Sequence, residues 1–99
     1  MQLASKILSL FGTSPKAELT FKHLYERVHP RSAEQLALVL SSLVNEGQLN
    51  QFVRVQSPTT HGGLQDFPSI LEVPDEIHDI HSDTWIPVAP ENMVVMYRK

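Results

Sequence analysis

The chain has 99 residues, enough for one compact domain and too few for two, and its 41% hydrophobic and 19% charged residues are typical of a folded globular protein. It contains no cysteine, which excludes disulfide bonds, thiolate zinc sites and cysteine nucleophiles. Residues 1–50 carry five Lys or Arg against four Asp or Glu, and residues 51–99 carry three against seven, so only the first half could supply the basic surface of a dedicated DNA-binding protein.

The sequence predicts a cytoplasmic protein that does not bind a membrane. The absence of cysteine favours a reducing compartment. Lys6 interrupts the apolar N-terminal stretch, and no small-residue cleavage site follows it, so this stretch does not resemble a signal peptide. No apolar run approaches the ~20 residues that span a bilayer.

The first half of the sequence has the hydrophobic spacing of three helices. The first helix covers about residues 2–11 and stops at Gly12, which begins a loop to residue 18. The second is capped by Thr20 and ends before Pro30, because the residue preceding a proline avoids helical geometry. The apolar stripes consist of Leu3, Ile7, Leu8 and Phe11 in the first helix and Phe21, Leu24, Tyr25 and Val28 in the second.

The third helix has the clearest boundaries. Ser32 is a favourable N-cap, Gln35 completes a capping box, and Gly47 ends the helix where a left-handed residue is favoured. One continuous apolar arc is expected to be core, and the opposite face contains no Lys or Arg. The arc consists of Ala33, Leu36, Ala37, Val39, Leu40, Leu43 and Val44, and the opposite face of Glu34, Gln35, Leu38, Ser41, Ser42, Asn45 and Glu46.

After Gly47 the hydrophobic period changes from 3.6 to 2, which indicates strands. In the last predicted strand both faces are apolar, so one face is expected to cover the helices. The other then meets the segment after Pro74, a second copy of the chain or another subunit. The predicted strands are residues 49–56, about 69–73, 84–88 and 93–97, separated by a polar loop at 57–66, a turn or single helical turn at 74–79 and a tight turn at 90–92.

Residues 19–58, LTFKHLYERVHPRSAEQLALVLSSLVNEGQLNQFVRVQSP, read as a helix, a turn at His29-Pro30-Arg31, a second helix and a strand. This order resembles the winged helix-turn-helix superfamily. The resemblance implies an α+β fold in which a three-helix bundle precedes a small antiparallel sheet with extra C-terminal strands. It makes residues 1–99 a single winged-helix-like domain, helical over 1–47, with the wing and C-terminal strands over 48–99. It also implies a binding role, since winged helices mostly bind DNA and often bind proteins.

The exposed face of the third helix bears on the choice of partner, because this helix usually enters the major groove in winged-helix DNA-binding proteins. Two glutamates and no cation on that face oppose contact with phosphates. Leu38 is a single large apolar residue on a polar face, which fits ordinary surface, a protein-binding anchor or a thymine contact. We expect a non-enzymatic protein–protein interaction module, a small subunit or adaptor, that uses the C-terminal strands or a partner-binding face made of Leu38, Gln35, Ser42 and Asn45.

The alternative is a sequence-specific DNA-binding transcriptional regulator. Lys22, Arg27 and Arg31 around the second helix would contact phosphates, although such cations are more typical of a solvated helix surface and also suit an acidic protein surface. Gln35 and Asn45 are suited to reading adenine. The wing would consist of His61, Gly62 and Gly63, a sequence that is also typical of a flexible turn.

No pattern indicates catalysis, a cofactor or a metal. Residues 75–83, DEIHDIHSD, contain ligand-type side chains, but their spacing matches no zinc or calcium template, so a surface turn is preferred over a metal-dependent activity at His78 and His81. Serines, histidines and aspartates occur without a motif that arranges them for catalysis. Trp85 is expected to pack in the core or the sheet, with a partner surface as the alternative, and a homodimer is compatible with the apolar last strand.

Overall fold

The structure, a computed structural model, describes residues 2–12 and 16–99. It confirms the predicted α+β class, with three α-helices and antiparallel sheets in the described part of the chain. The helices are α1 (Leu3–Gly12), α2 (Phe21–Val28) and α3 (Ala33–Asn45). The strands are β1 (Glu18–Thr20), β2 (Asn50–Gln56), β3 (Gly63–Phe67), β4 (Glu76–Asp79), β5 (Thr84–Pro87) and β6 (Met93–Arg98).

The chain divides into two compact units, which we describe separately. The first comprises Met1–Gln51 with Met96–Lys99 and contains the helices. The second is Phe52–Val95 and contains β3, β4 and β5. Strands β2 and β6 run through both units.

Side-chain caps fix the ends of α2 and α3. The Thr20 hydroxyl accepts a hydrogen bond from the His23 amide at 3.0 Å, and the Ser32 hydroxyl accepts one from the Gln35 amide at 3.1 Å. Both predicted caps are therefore confirmed. The second half of the capping box differs, because the Gln35 side-chain oxygen accepts from the Arg31 amide at 2.8 Å. Gly47, just beyond α3, has a φ of 76°, the left-handed conformation that the sequence predicts.

The three helices of the first unit share one apolar core, and α1 contacts both α2 and α3. On α3 the predicted inward positions Leu36, Leu40 and Leu43 are buried. The prediction was wrong for Ala33 and Ala37, which are exposed. Ala33 begins the helix and Ala37 lies about 100° from Leu36, at the edge of the arc, so the core does not reach these short side chains. The buried cluster consists of Ile7, Phe11, Leu24, Val28, Leu36, Leu40, Leu43, Leu49 and Tyr97.

Strand β1 was not predicted, because Glu18 was assigned to the end of the loop and Thr20 to the cap of the second helix. It pairs antiparallel with β6, Leu19 opposite Tyr97, and an ion pair of 3.5 Å joins Glu18 to Arg98. Three residues are too few to show an alternating pattern, and their partner lies far along the chain. Residues 13–15 of the predicted loop lie outside the described residues.

The strand order of the main sheet is β1-β6-β2-β3, and β4 and β5 form a separate hairpin. The predicted strand at 69–73 is wrong, because Ile70–Glu72 form a 3-10 turn with exposed side chains. Strand β3 lies earlier, inside the predicted loop, where it pairs with β2. The predicted turn at 74–79 is also wrong, since β4 pairs there with β5. The predicted strands at 49–56, 84–88 and 93–97 are confirmed within one residue or so as β2, β5 and β6.

Candidate functional site

The exposed face of α3 carries the side chains that the sequence predicts to bind a partner. Leu36 and Leu40 point into the core and so fix the rotation of the helix. Leu38 lies about 200° from Leu36 around the helix axis, and its side chain is 71% exposed. Ser42 and Asn45 are exposed on the same side. The structure thus brings Leu38, Ser42 and Asn45 together on one outward surface, which we call the α3 face.

The α3 face is apolar at its centre and polar around it. Ser41 and Ser42, three and four residues after Leu38 and therefore its neighbours on the helix surface, have small side chains that leave the leucine uncovered. Glu34 lies in the first turn, and the helix contains no Lys or Arg. A partner that binds this face can bury Leu38 and form neutral hydrogen bonds with the polar groups around it. The face offers no positive charge to a phosphate.

Gln35 differs from the other predicted contact residues because its own chain already holds it. Its side-chain oxygen accepts from the Arg31 amide at 2.8 Å, and the residue is only partly exposed. The side-chain amide nitrogen is therefore the part of Gln35 that can reach a partner. Its oxygen is occupied in closing the turn between α2 and α3.

The predicted phosphate-binding residues Lys22, Arg27 and Arg31 are all exposed, but they do not form one site. Lys22 and Arg27 lie about 140° apart around α2, so they face different directions. Arg31 instead lines a cavity of about 230 Å³ together with Lys6 and His29. Lys6 was not predicted for this site, because only the contacts of α1 with α2 and α3 bring it near Arg31, 25 positions later in the sequence.

The predicted wing residues lie at the start of β3. His61 and Gly62 end the loop that follows β2, and Gly63 is the first residue of β3. The loop is closed at its base: the Ser57 amide donates to the Gly62 carbonyl, and the His61 amide to the Ser57 carbonyl, both at 2.9 Å. A β-carbon at Gly62 would lie 3.2 Å from Nε2 of His81, so a side chain there would crowd the histidine ring.

A buried polar pair connects this loop with the β4–β5 hairpin. The hydroxyl of Ser57 donates to a carboxylate oxygen of Asp79 at 2.7 Å, and both residues are almost completely buried. The other Asp79 oxygen accepts from the His81 amide at 2.8 Å. The bond from Ser57 is the main cause that lowers the pKa of Asp79, with the His81 amide acting in the same direction against the effect of burial. The pair is buried and fully hydrogen-bonded, which fits a structural role. It could not be predicted, because no sequence motif relates these two residues, which are 22 positions apart.

We expect Asp79→Asn to destabilise the protein most at neutral pH and progressively less in acid. Because the folded-state pKa of Asp79 is lowered, its stabilising effect is complete above the ordinary value of 3.8 and is lost as pH falls from there toward the lower folded pKa. Urea denaturation of both proteins between pH 7 and pH 2.5 measures this. Asp75→Asn, an exposed position, serves as the control and should change stability by no more than about 0.5 kcal/mol. A stability difference for Asp79→Asn that is absent, or that stays constant into acid, contradicts the expectation.

Trp85 lies in the β4–β5 hairpin, where the residue is 67% exposed rather than packed as expected. The register explains this: Ile77 pairs with Ile86 on one face of the hairpin, while His78 pairs with Trp85 on the other. The His78 and Trp85 ring centroids are 5.5 Å apart at a 60° tilt. Nε2 of His78 lies 3.0 Å from a carboxylate oxygen of Asp83.

Three further findings bear on function. Over residues 2–12 and 16–99, no group of three or more His, Cys, Asp or Glu is arranged to hold a metal ion. In the same residues, no helix has the length and apolar character needed to cross a membrane. No protein-family model, curated protein or solved structure matches the chain.

Proposed function

We propose that this chain is a non-enzymatic protein-binding module, a small subunit or adaptor, that engages a partner protein through the α3 face. The observation that carries the proposal is the exposure of Leu38, 71%, in a helix whose other leucines are buried. Removing that side chain from water on binding would contribute roughly 1–2 kcal/mol. A few residues usually carry most of the binding energy of a protein interface, and we assign that role to Leu38 here.

The surroundings of Leu38 support a protein partner rather than a nucleic acid. Protein interfaces combine an apolar centre with a polar rim that forms hydrogen bonds. Ser41, Ser42 and Asn45 supply hydroxyl and amide groups of that kind, and all three are exposed. Glu34 adds negative charge, which a phosphate backbone would repel.

The order of elements supports a winged-helix fold for this module. After α1, β1, α2, α3 and β2, a winged helix needs a strand that returns beside β2. In the sheet order β1-β6-β2-β3, we assign that role to β6. Residues 57–92 would then replace a short wing with a longer insertion that contains β3 and the β4–β5 hairpin. We infer that this insertion, rather than strands added after the wing, accounts for the residues beyond a minimal winged helix.

DNA binding is the second candidate function, and the cavity beside α1 favours it. Lys6, His29 and Arg31 line that cavity, which contains no acidic side chain. Phosphate contacts there would hold a duplex by its backbone. Since α3 itself carries no cation, the first candidate is preferred.

Leu38→Asp tests the proposed function. Tagged wild-type and variant proteins are used to capture partners from an extract of the native host, with and without nuclease. We expect the wild type to retain a protein after nuclease treatment and Leu38→Asp to retain at least tenfold less, because a charge would be buried at the centre of the interface. Leu71→Asp is the matched control, since Leu71 is 92% exposed and outside α3, and it should capture as the wild type does.

Capture by Leu38→Asp equal to that of the wild type removes the α3 face from consideration, provided that circular dichroism shows the variant to be folded. If nuclease abolishes capture, the proteins are titrated with duplex DNA at increasing salt. Affinity that falls steeply with salt would establish the second candidate instead.

A further inference from the structure

The two faces of the β4–β5 hairpin differ sharply in exposure. Ile77 and Asp79 are buried on one face. Trp85 lies on the other face, directly opposite His78 and diagonally from Glu76, which is also exposed. Tryptophan is usually well buried, whereas Trp85, on a paired strand and against the His78 ring, remains 67% exposed.

A carboxylate contacts the histidine that lies opposite this exposed tryptophan. Asp83 has a φ of 54° at the hairpin turn, a left-handed conformation that aspartate tolerates better than most residues. One of its oxygens lies 3.0 Å from Nε2 of His78, whose ring is 5.5 Å from that of Trp85. The Asp83 side chain is nevertheless almost fully exposed, so its carboxylate remains accessible from solvent.

The second unit is strongly acidic. Residues 55–97 contain seven Asp or Glu and no Lys or Arg. The cation of this unit, Arg54, forms an ion pair of 2.8 Å with Asp66. The resulting negative potential attracts basic groups and repels phosphates of nucleic acids or lipids.

We propose that the outer face of the β4–β5 hairpin binds an arginine-bearing, basic segment of a partner protein. The guanidinium would lie on the face of the Trp85 indole, within about 6 Å of the ring, where the electron-rich ring attracts a cation. The carboxylates of Asp83 and Glu76 would flank it. Arginine suits this site better than lysine, because a planar guanidinium both stacks on an aromatic ring and bonds a carboxylate. The inference rests on the proposed protein-binding function and adds a second surface to it, separate from the α3 face.

Trp85 is the single tryptophan in the sequence, so its fluorescence reports directly on this surface. The full chain is titrated at low salt with capped tetra-arginine, tetra-lysine and tetra-glutamate peptides. We expect a saturable change in Trp85 emission with tetra-arginine, weaker binding of tetra-lysine and no change with tetra-glutamate. Added salt should weaken the binding, because the charges are exposed.

Two charge-removing variants and one matched control sharpen the test. Glu76→Gln and Asp83→Asn should each weaken tetra-arginine binding about two- to fivefold. Glu72→Gln removes the same charge from the 3-10 turn and should leave the affinity within about twofold. Trp85→Ala, followed by calorimetry, should lose about fivefold.

An unchanged emission at saturating tetra-arginine, or equal affinity in the Glu76→Gln/Asp83→Asn double variant, overturns the proposal. So does an equal response to duplex DNA. Leu38→Asp should titrate like the wild type, since it leaves the hairpin intact. The two surfaces can therefore fail independently: loss of peptide binding leaves the α3 face untouched, and normal partner capture by Leu38→Asp leaves the hairpin untouched.

Discussion

Replacing Leu40 with alanine should lower the free energy of unfolding by about 2–5 kcal/mol, because it leaves a cavity in the shared core of the three helices. Leu40 is 1% exposed and belongs to the buried cluster. The same substitution at Leu38, two residues away on the same helix, should change stability by no more than about 0.5 kcal/mol. Urea denaturation followed by far-UV circular dichroism measures both values.

Leu38→Ala is the internal control for helix propensity, because both substitutions introduce alanine into α3. Similar losses at the two positions would mean that the rotation of α3 is not the one described. The slope of the unfolding free energy against urea should be the same in both variants, so that the midpoint alone reports the difference.

Phe11→Ala should be at least as destabilising, at about 3–5 kcal/mol. The ring is completely buried in the core that α1 shares with α2 and α3. The variant therefore tests whether the packing of α1 is required for the stability of that core. Thermal and urea denaturation give the answer.

Ser5→Ala is the comparison for Phe11→Ala, since Ser5 is exposed on the same helix, and it should be near neutral. A loss below about 1 kcal/mol for Phe11→Ala would show that α1 contributes little to the folded helical unit. Together, Phe11→Ala and Leu40→Ala measure how much a side chain from α1 and one from α3 contribute to the stability of the core.

The helices could be predicted because their signals are local. The caps at Thr20 and Ser32, the left-handed Gly47 and the spacing of Leu36, Leu40 and Leu43 all act within a few residues. The exposure of Leu38 followed from the same spacing.

The strands were harder to predict, because a segment becomes a strand only where another strand pairs with it. The apolar run at 69–73 resembles a strand, yet it pairs with none of the strands in the described residues, and Ile70 and Leu71 are exposed to water. Residues 63–67 look like part of a polar loop, yet they pair with β2, and Asp66 forms an ion pair with Arg54 across that pair. Neither outcome follows from a window of neighbouring residues.

The candidate sites likewise divide into those that local sequence predicts and those that depend on residues distant in sequence. The α3 face was predicted from helical geometry, whereas the cavity containing Lys6 and the pair Ser57–Asp79 depend on residues distant in sequence. The exposure of Trp85 depends on hairpin register, and a shift of one residue would turn its ring to the opposite face.

The pairing of β1 with β6 also governs when the first unit can be completed during synthesis. About eighty residues separate Glu18 from Arg98, so the first of these strands leaves the ribosome long before the second exists. Until residues 96–98 emerge, the nascent helices lack Tyr97, and Leu19 waits without the neighbour it has in the finished sheet. Each helix depends on residues close to it in sequence, whereas the pairing of β1 with β6 has to wait until residues 96–98 have been synthesised.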